Sequence, residues 1–251
     1  MVKIRRKKTV RIVADMSNVK IACLGHSPRQ FETIPHRGWL IPTYLDRLNL
    51  GFYSDFQSNE WAESRAFLCD SLFGNSKYVG TVTASWNTKF YHPLLERIDR
   101  HEQFHNVFDD NTVLTGLLEP FYMWDTMFDY IGFTDGKKLS SFVKSYFKGI
   151  DTNKLVPLSN QVICHKYIYK GLCDFHRSVI HEVKKFVDRY GDVPDNPLTK
   201  SRRYAYLMEA MTMGYFASKT YNYVPLAKLH PNWYNPHAAA KRYRDDNRQK
   251  Q

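Results

Sequence analysis

The stretch KYVGTVT, residues 77–83, predicts a buried β-strand, because apolar and β-branched residues fill it and a polar run follows at once. That run, residues 84–89, reads ASWNTK. A helix is predicted just before the strand, over residues 58–72, where Ser58 is a suitable N-cap. Two earlier strands are predicted over residues 19–24 and 39–44. This order of strand, strand, helix and strand is typical of an α/β domain.

The rest of the chain predicts mostly helices. No linker is long enough to divide it, so we expect a single domain over residues 1–251, with basic flexible ends at about 1–8 and 238–251. The further predicted elements are strands over 9–14 and 156–165, and helices over about 93–101, 112–130, 138–148, 167–190 and 197–220.

Composition limits the classes of protein to consider. The chain has 251 residues, 43% of them hydrophobic, which is enough to bury a core. No apolar run approaches the roughly 18 residues that span a bilayer, and no secretory signal is expected. The four cysteines form no Cys-x-x-Cys motif, which favours free thiols in a reducing compartment. We therefore expect a cytoplasmic protein.

The net charge of +11 is concentrated at the two ends of the chain. Basic ends can guide a protein to an anionic surface. The middle of the chain carries no basic stripe interleaved with aromatic residues. Nucleic acid is therefore not the expected partner, although a nucleic-acid-binding protein that uses its basic tails stays open as an alternative.

Five short motifs follow one another along the chain: KIACLGH (20–26), IP (41–42), NEWAESR (59–65), YVG (78–80) and NQVI (160–163). Their order resembles that of small bacterial and viral glycosyltransferase-like proteins, including those of large DNA viruses, over residues 19 to 225. The resemblance implies a GT-A-like α/β domain, with a central mixed sheet flanked by helices and with long C-terminal helices. If the chain is viral, the expected location is the host cytoplasm.

The resemblance also implies an activity. Such a protein is a hexosyl- or pentosyltransferase that moves a sugar from a UDP- or GDP-linked donor to a glycan or glycoprotein acceptor. We expect an inverting reaction, since the sequence offers no clear pair of nucleophile and acid. A catalytically inactive relative that only binds a nucleotide sugar is a further alternative.

The chain departs from the family pattern at two places. Members carry His-Tyr-Arg-Arg after the third strand, where this chain has Thr83-Ala84-Ser85-Trp86. A Glu-Arg pair on the last helix of members is here Glu209 followed by Ala210.

The expected metal motif is also absent. Most GT-A enzymes place Asp-x-Asp after the strand that corresponds to residues 77–83. The two carboxylates of this motif hold a divalent ion on the diphosphate of the donor. Residues 83–89 contain no carboxylate, so a metal-independent site without a cofactor is predicted. A divalent metal such as Mn²⁺, held by Asp109 and Asp110, is the alternative.

Donor binding is predicted beyond the carboxyl ends of the strands, where open α/β sheets bind ligands. Cations and hydrogen-bond donors at that edge would stabilise the leaving diphosphate. The alternative is an ordinary surface loop in which Trp86 covers the core. The predicted donor-binding residues are His26, Arg65, Thr83, Ser85, Trp86, Asn87 and Lys89.

Catalysis and acceptor binding are predicted from acids beside aromatic rings. An inverting transfer needs a base at the acceptor hydroxyl, and Asp125 beside Trp124 is the first candidate, since rings stack on sugars. Its alternative is an aspartate that caps a helix or pairs on a helix surface. The resemblance favours Glu63 as the second candidate, with a solvated helix start as its alternative. Trp124 and Asn160 are predicted to bind the acceptor, although Asn160 in that position also fits a turn.

Overall fold

The computed structural model describes residues 18–32, 34, 36–69, 72–84, 110–158 and 160–225. The predicted strand over 9–14, the predicted helix over 93–101 and the basic ends lie outside the described residues. No helix in the described part combines the length and the apolar character needed to cross a membrane.

The centre of the fold is a mixed six-stranded sheet with the strand order β2-β1-β3-β7-β4-β8, and β5 and β6 pair separately. This confirms the predicted α/β class with a central mixed sheet. The strands are β1 Val19–Gly25, β2 Leu40–Tyr44, β3 Tyr78–Thr83, β4 Thr112–Thr115, β5 Leu118–Pro120, β6 Leu155–Pro157, β7 Val162–His165 and β8 Asn222–Pro225.

Strand direction decides where polar side chains meet. In the six-stranded sheet β7 alone is antiparallel to its neighbours β3 and β4, whereas β1, β2, β3, β4 and β8 run the same way. The carboxyl ends of those five strands and the amino end of β7 therefore share one edge, called the carboxyl edge below.

The helices lie mainly in the second half of the chain, as predicted. They are α1 Trp124–Tyr130, α2 Gly136–Tyr146, α3 Lys166–Tyr190, α4 Pro197–Lys200 and α5 Arg203–Ala217. Helix α3 has 25 residues and presents one apolar stripe to the sheet, and α5 is almost completely buried. These two are the expected long C-terminal helices; α3 matches the predicted helix over 167–190, whereas the predicted helix over 197–220 is divided into α4 and α5.

Residues 112–130 and residues 156–165 were each predicted to be one element, and both predictions were wrong. Residues 112–130 were expected to be one helix, but Thr112–Thr115 pairs with β7 and β8. Gly116 and Pro120 disfavour a continuous helix there. Pairing with β7 and β8 then holds residues 112–115 as a strand. The predicted strand over 156–165 is likewise two short strands, β6 and β7.

The predicted helix over 58–72 is instead the 3₁₀ segment Asn59–Leu68, called the 59–68 segment below. It is broken at Ala62, whose φ of 41° and ψ of −130° lie outside the helical region. Ala62 lies in the left-handed half of the map that disfavours residues with a Cβ, which makes it a strained position. The break lets the segment direct consecutive side chains to different elements.

The hydrophobic core lies on both faces of the sheet, because side chains alternate along each strand. On β7, Val162 and Cys164 pack with the helices, whereas Ile163 packs on the opposite face with Ile21 of β1. Such two-sided burial is typical of strands in α/β proteins.

Gly80 marks the contact between the parallel strands and β7. A Cβ at this position would lie 2.2 Å from the Val162 carbonyl oxygen and 2.7 Å from the Ile163 Cα. Both are backbone atoms that no side-chain rotation can move. Only glycine therefore permits the observed pairing of β3 with β7.

Candidate active site

The 59–68 segment passes the carboxyl edge and links two groups of charged residues there. On one side Arg65 contacts His26 and Asp46, the residues that follow β1 and β2. On the other side Glu63 contacts Arg202, at the start of α5. The segment is held by Trp61, whose ring stacks on Tyr204 with centroids 4.6 Å apart and planes within 8° of parallel.

Arg65 is completely buried and hydrogen-bonded within the protein. Burial lowers the pKa of its guanidinium, while Asp46 and Glu63 oppose that shift. All five N–H positions of the guanidinium point to protein acceptors at 2.7–3.4 Å. The acceptors are the carbonyl oxygens of Ala62 and Gln57, Asp46 Oδ1, Asn59 Oδ1 and His26 Nδ1.

His26 is the more accessible partner, with 38% of its side chain exposed. Its Nδ1 lies 3.4 Å from Arg65 Nη2 and 3.6 Å from Asp46 Oδ1. A guanidinium only donates, so a hydrogen bond from Arg65 makes Nδ1 the acceptor. In the neutral ring the proton is then on Nε2, which can donate to a ligand.

A second group, the Glu63–Arg202–Glu209 cluster, combines one base with two acids. Arg202 Nη2 donates to Glu63 Oε2 at 2.8 Å, and the Glu63 side chain is 13% exposed. Burial alone would lower the pKa of Arg202, but the charges of Glu63 and Glu209 outweigh it and raise the pKa. The same segment also pairs Glu60 with Arg203 at 3.0 Å.

Glu209 is the strongly perturbed acid of this cluster. Burial raises the pKa of its carboxyl to about 7; Arg202 opposes the shift and Glu63 adds to it. The Glu209 carboxyl is therefore about half protonated near neutral pH, so it can either accept or donate a proton there. Sequence reasoning did not select Glu209 as a site residue; it noted only that Ala210 follows Glu209 where the resembling proteins carry a Glu-Arg pair.

Asn160 lies beneath this cluster and is 2% exposed. Its Nδ2 donates to Ser64 Oγ at 3.2 Å, and its Oδ1 accepts from Thr212 Oγ1 at 3.1 Å. Its carbonyl oxygen accepts from Thr81 Oγ1 at 2.5 Å. Asn160 is therefore at the predicted edge, but its amide is engaged by the protein rather than presented to an acceptor.

The remaining donor-binding candidates follow β3. Thr83 ends the strand and is 8% exposed, with Gln161 Nε2 at 3.4 Å from its hydroxyl. Ser85, Trp86, Asn87 and Lys89 lie outside the described residues. Their predicted role stays a prediction.

Asp125 and Trp124 are not part of these contacts. Asp125 accepts from Ser140 at 3.0 Å and pairs with Lys144 at 2.6 Å, which ties α1 to α2. Trp124 is 3% exposed, and its Nε1 donates to Met213 Sδ at 2.9 Å. A sugar could stack on this ring only if the core opened.

Arg202 and Glu209 belong to the cluster although no local sequence pattern selects them. They lie about 140 residues after Glu63 along the chain, and only the docking of α5 on the 59–68 segment brings them together. Within the described ranges, no group of three or more His, Cys, Asp and Glu side chains is arranged to hold a metal ion. Asp109, one half of the alternative metal pair, is not described.

The fold resembles that of a solved glycosyltransferase. The WbbM bifunctional glycosyltransferase, in its apo structure, superposes with a TM-score of 0.53 at 10% sequence identity. The match covers 83% of this chain and 44% of WbbM, so the chain corresponds to less than half of that protein. At this identity the likeness concerns the fold alone. No protein-family model and no curated protein matches the sequence.

Proposed function

We propose that this chain is a GT-A-type glycosyltransferase whose active site is the carboxyl edge of the sheet. It transfers a sugar from a UDP- or GDP-linked donor to a glycan or glycoprotein acceptor. The observation that carries the proposal is the Glu63–Arg202–Glu209 cluster at the ligand-binding edge of a glycosyltransferase-like fold.

The donor is proposed to bind on the β1–β2 side of the edge. His26 offers its Nε2–H to a phosphate oxygen, because Arg65 occupies Nδ1. Arg65 itself acts as a positioning residue, since its N–H groups are engaged by the protein. The donor side is completed, in this proposal, by the residues predicted from the sequence, Thr83, Ser85, Trp86, Asn87 and Lys89.

The acceptor is proposed to bind beside Glu209 and Glu63. Glu209 in its ionised form removes the proton from the attacking acceptor hydroxyl. The acceptor oxygen then forms a bond to the anomeric carbon while the bond from that carbon to the diphosphate breaks. The nucleoside diphosphate leaves with the electron pair of the broken bond. This single displacement inverts the anomeric centre.

Glu209 is favoured over Asp125 as the base for two reasons. Its pKa of about 7 makes it a stronger base than an ordinary carboxylate, and it belongs to the cluster at the edge. Asp125 is instead paired with Lys144 at 2.6 Å. Glu63 would hold Arg202 in place and is the second candidate. Metal independence is retained from the sequence and is part of the proposal.

A ligand-binding experiment tests the proposal. Melting temperatures would be measured with UDP, GDP and their sugar conjugates, each with Mn²⁺ and with EDTA. A specific ligand raises the melting temperature by mass action, and the shift should persist in EDTA. His26→Ala should abolish the shift, whereas the exposed control His36→Ala should retain it.

Each other outcome overturns part of the proposal. A shift that EDTA removes would contradict metal independence. Binding without release of nucleoside diphosphate, over a panel of glycan acceptors, would favour an inactive nucleotide-sugar-binding relative. No shift with any nucleotide would contradict the transferase and favour the nucleic-acid binder with basic tails.

A further inference from the structure

A chain of fully buried polar side chains runs beneath the proposed site. His176 on α3 and Thr212 on α5 are both 0% exposed, as is Ser64 of the 59–68 segment, and Asn160 is 2% exposed. His176 Nε2 lies 2.9 Å from Thr212 Oγ1, which contacts Asn160 Oδ1 at 3.1 Å. Asn160 Nδ2 continues to Ser64 Oγ at 3.2 Å. We call these four residues the Asn160 network.

The direction of the hydrogen bonds in this network depends on the tautomer of His176. The ring packs against Phe67, with centroids 4.4 Å apart, and Nδ1 has no hydrogen-bond partner among the described residues. A buried N–H without an acceptor costs more than a buried lone pair without a donor. The proton is therefore on Nε2 and is donated to Thr212.

Protonation of both nitrogens is also disfavoured. Burial lowers the pKa of His176 to about 3, so the ring stays neutral over the physiological range. The buried environment of His176 therefore favours the neutral ring with its proton on Nε2.

The tautomer then orients the rest of the network. Because Thr212 Oγ1 accepts from His176, its own proton points to Asn160 Oδ1 or to the Met208 carbonyl at 2.8 Å. When that proton is donated to Asn160, Oδ1 of Asn160 accepts from Thr212 and Nδ2 donates to Ser64. Ser64 directly follows Glu63, and Thr212 lies one helical turn after Glu209. The network therefore fixes the two backbone segments that carry the proposed acids.

We propose that His176 is a positioning residue of the active site, which acts through Thr212 and Asn160 to fix the places of Glu63 and Glu209. It touches no substrate. This inference rests on the proposed function and gives Asn160, predicted to bind the acceptor, a different role in the same site.

Nitrogen-15 NMR of the histidine side chains tests the tautomer directly. In the wild-type protein, His176 should give the signal of a neutral ring that is protonated at Nε2 and unchanged between pH 5 and 8. His176→Phe should remove this signal, which assigns it. A proton on Nδ1, or titration of this ring in that range, would overturn the proposal.

Kinetics of two Thr212 variants test the positioning role. Thr212→Val keeps the shape of the side chain and removes the hydroxyl, whereas Thr212→Ser keeps the hydroxyl. We expect kcat to fall about tenfold in Thr212→Val with KM for the donor within twofold of the wild type, and Thr212→Ser to recover most of kcat.

The outcomes separate this inference from the proposed function. If the wild-type protein turns over the donor and kcat is the same in Thr212→Val and Thr212→Ser, the positioning role alone is overturned. A wild-type protein that turns over no donor would overturn the proposed function, and the positioning role with it. A rise in KM without loss of kcat would also contradict the inference, because it would indicate a binding role.

Discussion

Arg65 Nη1 lies 3.0 Å from Asp46 Oδ1, and the arginine side chain is fully buried whereas the aspartate is 47% exposed. A buried guanidinium is tolerated only when its charge and its N–H groups are all satisfied. Here the acceptors lie in the turn after β1 (His26), in the turn after β2 (Asp46), and in Gln57 and the 59–68 segment. One side chain thus holds three parts of the carboxyl edge together.

Replacing Arg65 by lysine should therefore destabilise the protein. Lysine keeps the charge but cannot reproduce the planar fork, so several buried acceptors lose their donors. We expect Arg65→Lys to lower the free energy of unfolding by about 2–4 kcal/mol. Urea denaturation would measure this. The control Arg47→Lys, on an exposed arginine that packs over Tyr44 in the same region, should change it by less than about 0.5 kcal/mol.

Ala62 should tolerate glycine better than a normal helical alanine does. Its positive φ is strained for any residue with a Cβ, and glycine relieves that strain. We expect Ala62→Gly to raise the free energy of unfolding by up to about 1 kcal/mol. Ala66→Gly, at a buried alanine without a positive φ, should lower it by about 1 kcal/mol. Equal losses in both variants would contradict a strained Ala62.

The raised pKa of Glu209 should make the stability depend on pH. Its folded-state pKa of about 7 exceeds the usual value of 4.5, so between these values the folded protein binds more protons than the unfolded chain. This contribution to stability is fully present below pH 4.5 and is lost as pH rises through 7. Glu209→Gln removes the titrating group, so its stability relative to the wild type should increase between pH 5 and 8 by about 1–3 kcal/mol.

Melting or denaturant curves of both proteins at several pH values would measure this difference. Glu32→Gln, at an exposed glutamate, is the matched control and should follow the wild type at every pH. A constant offset between Glu209→Gln and the wild type would show that Glu209 titrates normally in the folded protein.

Activity should separate the acids at the edge from Asp125. If Glu209 removes the acceptor proton, Glu209→Gln should lower kcat by about 10²–10⁴-fold. Asp125→Asn should lose only the contact with Lys144, with kcat within about threefold and a stability loss below about 1 kcal/mol. Release of nucleoside diphosphate is the assay. The reverse ranking would restore Asp125 as the base.

Four elements of the fold follow from local patterns. Strands β1, β2 and β3 and helix α3 are found within one or two residues of their predicted positions, since each is a continuous apolar or amphipathic run. Strand β4 was mistaken for helix because four residues carry too little periodicity to distinguish the two. Its identity comes from pairing with β7 and β8, residues far away along the chain.

The candidate site shows the same limit. His26, Glu63 and Arg65 were selected from motifs near the edge, and the structure brings them to it. Arg202 and Glu209 were missed because their importance depends on α5 packing against a segment far earlier in the sequence. Arg65 and Asn160 were predicted to bind ligands, but both are buried and contact other parts of the protein instead. Burial of a polar side chain cannot be read from a local sequence pattern.

The close backbone contact at Gly80 has a consequence for engineering this protein. His26 and Asp46 follow strands on one side of the β3–β7 seam, whereas Asn160 precedes β7 and Thr212 lies on α5 beyond it. The spacing between these two halves is set where two backbones touch without a Cβ between them. A substitution there would disturb the β3–β7 pairing and, with it, the spacing between the proposed donor side and the proposed base. Libraries aimed at new donor or acceptor specificity should therefore vary the loops and keep position 80 fixed.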